Sequence, residues 1–379
     1  MKALSFVFLM ILAASCKSPD NNIYTFDPRR IKADPLFLSD IASDIRYVQL
    51  DDTIPIKYVT WFRFRNGIFY IPNKKLGLLT YSRDGKFIKT IGKVGRGPGE
   101  YVNCDLFYVD KNSRIYILDI DQKVKIFSAN GDYEKCISLD EYGGLSHIYV
   151  NDSKLFLFEF LSMGKAEYNW IVMDTLGNVL HKKRNTIPPF YNTMVGGGGV
   201  FEFDNILSYW NYINDSVFTI SADSKYQTSI LISPGNHRLP RMNIDFEKFP
   251  QYLRFFQIFE TRKFLVFQYE LKGQQTMMLV NKKNKKSYST DFNFKKGYYS
   301  CGLNDFDGGF MVIPLDYYSH EDKEYIIGVI EPSQLKALMG RDEFINFEPK
   351  YPDKKNELEK LARDADQYGN PIMMVVELK

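Results

Sequence analysis

Residues 77–101, GLLTYSRDGKFIKTIGKVGRGPGEY, decide the fold. The stretch holds an apolar run (Leu78–Ser82), a turn at Asp84-Gly85, a second run (Phe87–Ile91) and a glycine-rich connector from Gly92 to Tyr101. Asp-Gly between two such runs predicts a β-hairpin with a type I′ turn, in which both central residues take positive φ. The same unit recurs as KVKIFSANGDYEKCISL (123–139, turn at Asn130-Gly131) and NWIVMDTLGNVLHKK (169–183, turn at Gly177-Asn178). Gly85, Gly131 and Gly177 follow one another at intervals of 46 residues. A weaker copy, SVFTISADSKYQTSILI (216–232), turns near Asp223-Ser224, and a fifth, TMMLVNKKNKKSYSTDF, turns near Lys283-Asn284. A period of roughly 40 to 50 residues is that of a β-propeller with four strands per blade.

The spacing predicts an all-β chain with six four-stranded antiparallel blades, starting near residues 57, 102, 145, 196, 252 and 299. IRYVQL (45–50) aligns best with the outermost strand of a blade, so an N-terminal strand is expected to complete the last blade and close the ring. GIFYIP (67–72), RIYILDI (114–120), KLFLFEF (154–160), KFLVFQY (263–269) and GGFMVIP (308–314) read as inner strands, because near-continuous apolar runs suit strands covered on both faces. In the tail, Leu358 and Leu361 stand at helical spacing before the stop signal Gly369-Asn370-Pro371. A short C-terminal helical insertion is expected there, followed by a last strand, PIMMVVELK.

The connector GKVGRGPGEY (92–101), placed after a strand–DG–strand hairpin, resembles the interblade connector of NHL-type propellers. More narrowly, it resembles the six-bladed β-propeller lipoproteins of Bacteroidetes, whose first blade ends in a GxGPGE-type loop. The likeness runs from about residue 40 to the C-terminus and implies a fold and an address in the cell envelope, without an activity. A phosphate-binding reading of the same glycines fails on context. No Gly-Lys-Ser/Thr ending follows, Pro98 lacks an N–H, and the next segment reads as a strand rather than a helix. Gly92, Gly95, Arg96, Gly97, Pro98, Gly99 and Glu100 are therefore read as a structural connector between blades, with Arg96 and Glu100 as a bracing ion pair.

The start, MKALSFVFLMILAASC, has one Lys and an apolar run too short to span a bilayer. It reads as a signal peptide over 1–15. Ala-Ala-Ser-Cys resembles a bacterial lipobox, which implies Cys16 as a lipidated N-terminus; otherwise the Cys is incidental to an ordinary secretory signal. Residues 16–40 are expected to be the lipidated Cys and its tether, and 41–379 the propeller. The implied location is the outer membrane, facing either the periplasm or the surface, with the chain a monomer.

Composition excludes some functions. The 379 residues carry a formal charge of +3, too near balance to argue for nucleic acid or for an acidic polymer as partner. Beyond Cys16 only Cys104, Cys136 and Cys301 remain, with neither disulfide framework nor metal-ligand spacing. The histidines His147, His181, His237 and His320 share no motif, and no G-x-S-x-G elbow occurs. No catalytic residue is assigned. Asn103, Asp105, Asn304 and Asp305 stand at the starts of inner strands; read as turn and cap residues they imply no cofactor, read as axial ligands they would hold calcium, as in six-bladed hydrolases.

Loops entering the inner strands carry Trp61, Arg63, Arg65, Tyr101, Tyr142, His147, Tyr191, Trp210, Tyr252 and Tyr317. Aromatic groups with Arg and His donors suit a glycan or peptide ligand at the propeller axis, although such aromatics also pack between blades. Gly196–Gly199 mark a lid, a close backbone approach or a tolerated long loop. The sequence thus points to a non-catalytic binding or scaffold module. The alternatives are a glycan-active lyase or hydrolase, a calcium-dependent hydrolase using the axial face, and a partner of an envelope protein.

Overall fold

The computed structural model describes residues 23–379 apart from 58, 60, 140, 143, 152, 161–165, 190–196, 243 and 296–297, and leaves out the side chains of 294–301. Residues 1–15 and Cys16 lie outside the described residues. Six sheets are arranged as the blades of a propeller. Blade 1 consists of Arg63–Arg65, Ile68–Asn73, Gly77–Ser82 and Phe87–Ile91, and blade 2 of Phe107–Val109, Ile115–Asp119, Lys123–Phe127 and Tyr133–Ser138. Blade 3 holds His147–Asn151, Lys154–Phe158, Tyr168–Asp174 and Val179–Arg184. Blade 4 holds Gly198–Phe203, Ile206–Asn211, Ser216–Ile220 and Tyr226–Ile232, and blade 5 Arg254–Glu260, Phe264–Leu271, Gln274–Asn281 and Ser287–Lys295. Blade 6 is Asp316–His320, Lys323–Ile330, Ile372–Leu378 and, from the other end of the chain, Ala42–Gln49.

The recurring outer hairpin has a local cause. Ser82 Oγ accepts the N–H groups of Asp84 and Lys86, while Gly85 N–H donates to Ser82 O at 2.9 Å. Ser128 and Asp174 do the same work in blades 2 and 3. Only the glycine of each turn takes positive φ (+81°, +78° and +93° for Gly85, Gly131 and Gly177). The turns are therefore type I with a left-handed third residue, and not type I′; the extra residue appears as a register shift in each strand pair. True I′ pairs occur at the inner hairpins, at Asn66-Gly67 and Asp204-Asn205. In blades 4 and 5 the left-handed position is filled by Ser224 and Lys285, which is why those copies read as weak.

The apolar runs GIFYIP, RIYILDI, KLFLFEF and KFLVFQY, read as inner strands, are the second strands of blades 1, 2, 3 and 5. A second strand is paired on both edges and covered on both faces, so it reads as continuously apolar, whereas the innermost strand leaves one edge at the axis. GGFMVIP forms no strand; it leads into Asp316–His320, with Met311, Val312 and Ile313 buried in the core cluster that also contains Leu338, Phe344 and Leu358. Blade 6 accordingly begins at Asp316 rather than near 299, because Tyr298–Cys301 doubles back onto the outer strand of blade 5.

The N-terminal stretch expected as a tether up to residue 40 is, from Tyr24, part of the propeller's rim. Tyr24–Phe26 adds in parallel to the outer strand of blade 4, Asp34–Pro35 to that of blade 5, and Ala42–Gln49 then completes blade 6. Phe26 pins this strap, fully buried with its ring 3.9 Å from that of Phe267. Each added segment satisfies backbone groups that a bare edge would leave to water or to another chain. The helical insertion falls inside blade 6, as Pro332–Met339, Asp342–Ile345 and Pro352–Asp364, the last burying Leu358 and Ala362.

The core lies between blades rather than at one centre. Leu78, Ile91 and Tyr101 pack blade 1 on Phe107, Ile117 and Phe127 of blade 2, for example. That arrangement leaves the axis itself open.

Candidate functional site

A channel of about 1120 Å³ follows the axis, lined by the innermost strands of all six blades. In blade 1 the two-residue period of the strand sends Arg63 and Arg65 to one side and Phe64 to the other, where it packs 4.5 Å from Phe69. Both arginines meet Asp316, the first residue of blade 6's innermost strand. Arg63 Nη1 donates to Asp316 Oδ1 at 2.9 Å, and Arg65 Nη1 to Oδ2 at 2.8 Å. The Phe64 N–H also donates to Oδ2, at 2.7 Å. One carboxylate, 2 % exposed, thus closes the ring between first and last blades and carries two cations. Burial, and then the neighbouring Arg65 working against Asp316, leave the Arg63 guanidinium below its ordinary pKa; Arg65 stays above its own despite burial, because Asp316 and Glu202 favour its charge.

Blades 2, 3 and 4 contribute a second group. The rings of Tyr108 and Tyr149 lie 4.5 Å apart. Burial first, then the Glu202 charge, holds the Tyr108 phenol above its ordinary range, and burial, then Tyr108 and Glu202, does the same for Tyr149. His147 stands at the start of the same strand. Its Nδ1 lies 2.8 Å from Ser146 O, which places the proton on Nδ1 and leaves Nε2 as an acceptor. Burial, and then the Arg63 charge, lower its pKa to about 4, so it is neutral near pH 7.

Trp61 lies between Arg63, whose Cζ is 4.1 Å from the ring centroid, and Phe107 at 5.4 Å. His147 is 6.3 Å from Trp61 and 5.1 Å from Phe160. Next along the wall, Gly198 and Gly199 allow the innermost strand of blade 4 to lie against Phe160 and Trp210: a Cβ on Gly199 would stand 2.7 Å from Trp210 Nε1. Of the three readings of the glycine run, close backbone approach is the one these positions show. Gly196 and the preceding loop lie outside the described residues. The Nε1 groups of Trp61 and Trp210 are buried with no hydrogen-bond partner among the described residues, and both indoles line the channel.

Of the predicted ligand-binding residues, Trp61, Arg63, Arg65, His147, Trp210 and Tyr317 line the channel. Tyr317 contributes only its ring, since its hydroxyl donates to Glu324 at 2.5 Å. Tyr101 does not reach the axis. Fully buried between blades 1 and 2, it donates to Ile91 O and accepts the Leu78 N–H, tying the connector to the hairpin before it. Tyr142 packs edge-on to Tyr168 beneath Lys182, and Tyr252 packs in a satellite cluster with Phe249 and Leu239. Tyr191 lies outside the described residues.

The weak metal candidates serve local structure. Asn103 and Asp105 bond each other across a turn. Asn304 bonds Asp307 and Phe310 O, and Asp305 holds the Ser39 N–H and Lys350. None of the four lines the channel. In the connector, Lys93–Val94 pairs with Glu100–Tyr101, and Glu100 accepts the Gly97 N–H at 2.8 Å. No ion pair between Glu100 and Arg96 forms among the described residues. Sequence reasoning missed Tyr108, Tyr149, Glu202, Asp316 and Tyr318. The signal was the alternation in HIYVN, VFEFD and DYYSH just before each second strand.

The architecture has relatives among solved structures. An exported-protein candidate from Bacteroides fragilis NCTC 9343 superposes with a TM-score of 0.66 at 18% identity, covering 94% of this chain and 99% of the other. A DUF4221 family member from Bacteroides vulgatus ATCC 8482 gives 0.49 at 12% identity over 89% and 97% of the two chains. Virginiamycin B lyase from Staphylococcus aureus gives 0.43 at 10% identity over 88% and 99%. The first shows the same fold; the other two scores are too low to carry an argument. No curated protein matches the chain. No helix among the described residues is long and apolar enough to cross a membrane. The model for the domain of unknown function DUF4934 matches residues 23–377, so the propeller and its N-terminal strap together are that domain, and the chain belongs to the DUF4934 family.

Proposed function

We propose that this protein is a lipid-anchored envelope propeller that binds a glycan or peptide ligand in its axial channel, without catalysing its conversion. The observation carrying this reading is that the indoles of Trp61 and Trp210 line an open channel, and that their buried Nε1 groups have no hydrogen-bond partner among the described residues. A buried donor left without an acceptor costs roughly 1–3 kcal/mol, a cost that a ligand acceptor removes. The anchor rests on the sequence before the strap, where an apolar run ends at Ala-Ala-Ser-Cys16. Residues 17–22 then join Cys16 to a strap fixed on blade 4, so the propeller would stand close to the membrane surface.

The test is a thermal-shift screen of the mature chain, without Cys16, against calcium, oligosaccharides and peptides. A ligand at a hundred times its Kd adds about 2.7 kcal/mol of stability. A glycan or peptide shift that disappears in Trp210→Phe, which keeps the ring and removes the N–H, supports the reading. A shift unchanged by that substitution places the site elsewhere, and turnover of any saccharide in the screen replaces binding with catalysis. In cells, metabolic labelling with a fatty-acid analogue should mark the protein and fail to mark Cys16→Ala.

A further inference from the structure

We propose that the ligand of the axial channel is an acidic saccharide, an oligouronate in chemical class, and that one of its carboxylates sits on Arg63 at the end of the channel flanked by Trp61, His147 and Trp210. This rests on the channel being a binding site at all.

The first argument is a count of donors and acceptors. Asp316 is full: Oδ1 receives Arg63 Nη1 and, at 3.4 Å, Arg65 Nη2, while Oδ2 receives Arg65 Nη1 and the Phe64 N–H. Arg63 commits one of a guanidinium's five N–H groups to a hydrogen bond among the described residues. The indole that Arg63 covers, Trp61, has a buried Nε1 group with no hydrogen-bond partner among the described residues. Against these donors, this end of the channel offers the Nε2 lone pair of neutral His147. A wall rich in donors and poor in acceptors is complementary to an acceptor-only group, and a carboxylate accepts without donating.

Charge gives the second argument. Arg65 stands near both Asp316 and Glu202, whereas Arg63 shares with Arg65 the single carboxylate of Asp316. A ligand carboxylate on Arg63 gives each guanidinium an anion of its own in a desolvated place, where such a pair is strongest. The guanidinium is already oriented, held between the Trp61 ring at 4.1 Å and Asp316 at 2.9 Å.

The third argument favours a saccharide chain. Val200, Phe201, Phe203 and Phe256 give the channel apolar lining, which suits the non-polar faces of sugar rings. Polar groups stand among them, including those of Tyr318, Gln257 and Asn66, and these suit the ring hydroxyls of the same chain. The chain's overall charge of +3 supplies little long-range attraction, so the preference for an acid comes from these contacts.

Isothermal titration of the mature chain with tetrasaccharides of galacturonate, glucuronate and mannuronate, each as the free acid and as its methyl ester, tests this. The expected result is that at least one acid binds ten or more times tighter than its ester. Arg63→Gln should bring the acid down to the ester's affinity, and Arg63→Lys should recover part of the difference, because it restores charge without the planar fork. If Arg63→Gln fails to fold, the acid–ester comparison on the unaltered chain and the Lys variant decide. Equal affinity for acid and ester overturns the carboxylate seat but leaves the channel as the site. So does binding confined to neutral glycans or peptides. An acid preference unchanged in folded Arg63→Gln also overturns it. Failure of every ligand in both this series and the thermal-shift screen overturns the channel reading as well.

Discussion

In blade 3 two neighbouring strands, His147–Asn151 and Lys154–Phe158, pair residue by residue, with His147 opposite Phe158 and Tyr149 opposite Phe156. They share a sheet and a register, yet their chemistry differs. Leu155, Phe156, Leu157 and Phe158 are all but inaccessible to solvent, and Phe158 stacks on Tyr209 of blade 4 at 5.6 Å. His147 and Asn151 remain partly exposed to the channel, and the first strand alternates polar and apolar positions. The same contrast separates Arg63–Arg65 from Ile68–Asn73 in blade 1. The second strand is constrained by neighbours on every side, whereas the first is constrained on three sides and faces water on the fourth. The second ring of strands therefore holds the propeller together, and the first ring is free of that constraint on its axial side.

That division has energetic consequences, of which the largest falls on the second ring. Phe158→Ala should cost about 3–5 kcal/mol in chemical denaturation, since the blade 3–blade 4 interface cannot close over the lost ring. A cost below about 1 kcal/mol would mean that this interface is loosely packed and that the two rings do not differ in kind.

Its partner across the pair, His147, should act through pH. The folded pKa of about 4 lies below the ordinary 6.5, so between these values the unfolded chain binds the extra proton. His147 therefore withdraws stability as pH falls from 6.5 towards 4, by up to about 3 kcal/mol. In His147→Gln that contribution is absent, and the variant's stability should fall less steeply than the parent's over the same window. Parallel curves would show that His147 is as well hydrated folded as unfolded, and the acceptor assigned to Nε2 would lose its dry setting.

The hairpins and the ring closure were legible because each is written locally: Gly85, Gly131 and Gly177 mark turns, and IRYVQL matches an outer strand wherever it occurs. The turn type was misread because Asp-Gly serves both a two-residue I′ loop and a type I turn followed by a left-handed glycine. GGFMVIP was misread because an apolar run looks the same whether strands or helices cover it, and here Leu338 and Leu358 belong to helices. Tyr101 illustrates the limit for single residues: a tyrosine bonding two backbone groups in the core and one facing a ligand have the same letter. The channel was half legible. Trp61, Arg63, His147 and Trp210 stood out by residue type, but Asp316 lies 253 residues from Arg63, and nothing local says that the two meet. Propeller topology brings them together.

The smallest expected effect is the sharpest test of the comparison. Tyr318 sits in the innermost strand of blade 6, edge-on to Phe64 at 5.5 Å and stacked with His320 at 6.0 Å. Its hydroxyl makes no hydrogen bond among the described residues, and the residue lines the channel. Tyr318→Phe keeps the ring contacts and removes only the hydroxyl, so stability should change by less than about 0.5 kcal/mol, as for a surface substitution. Saccharide affinity should nevertheless fall, by up to about tenfold, if that hydroxyl bonds a ligand ring. Stability and binding would then respond to different rings of the same blades. A loss of stability above about 1 kcal/mol would instead make Tyr318 part of the frame, and the innermost strands would be no freer to specialise than those behind them.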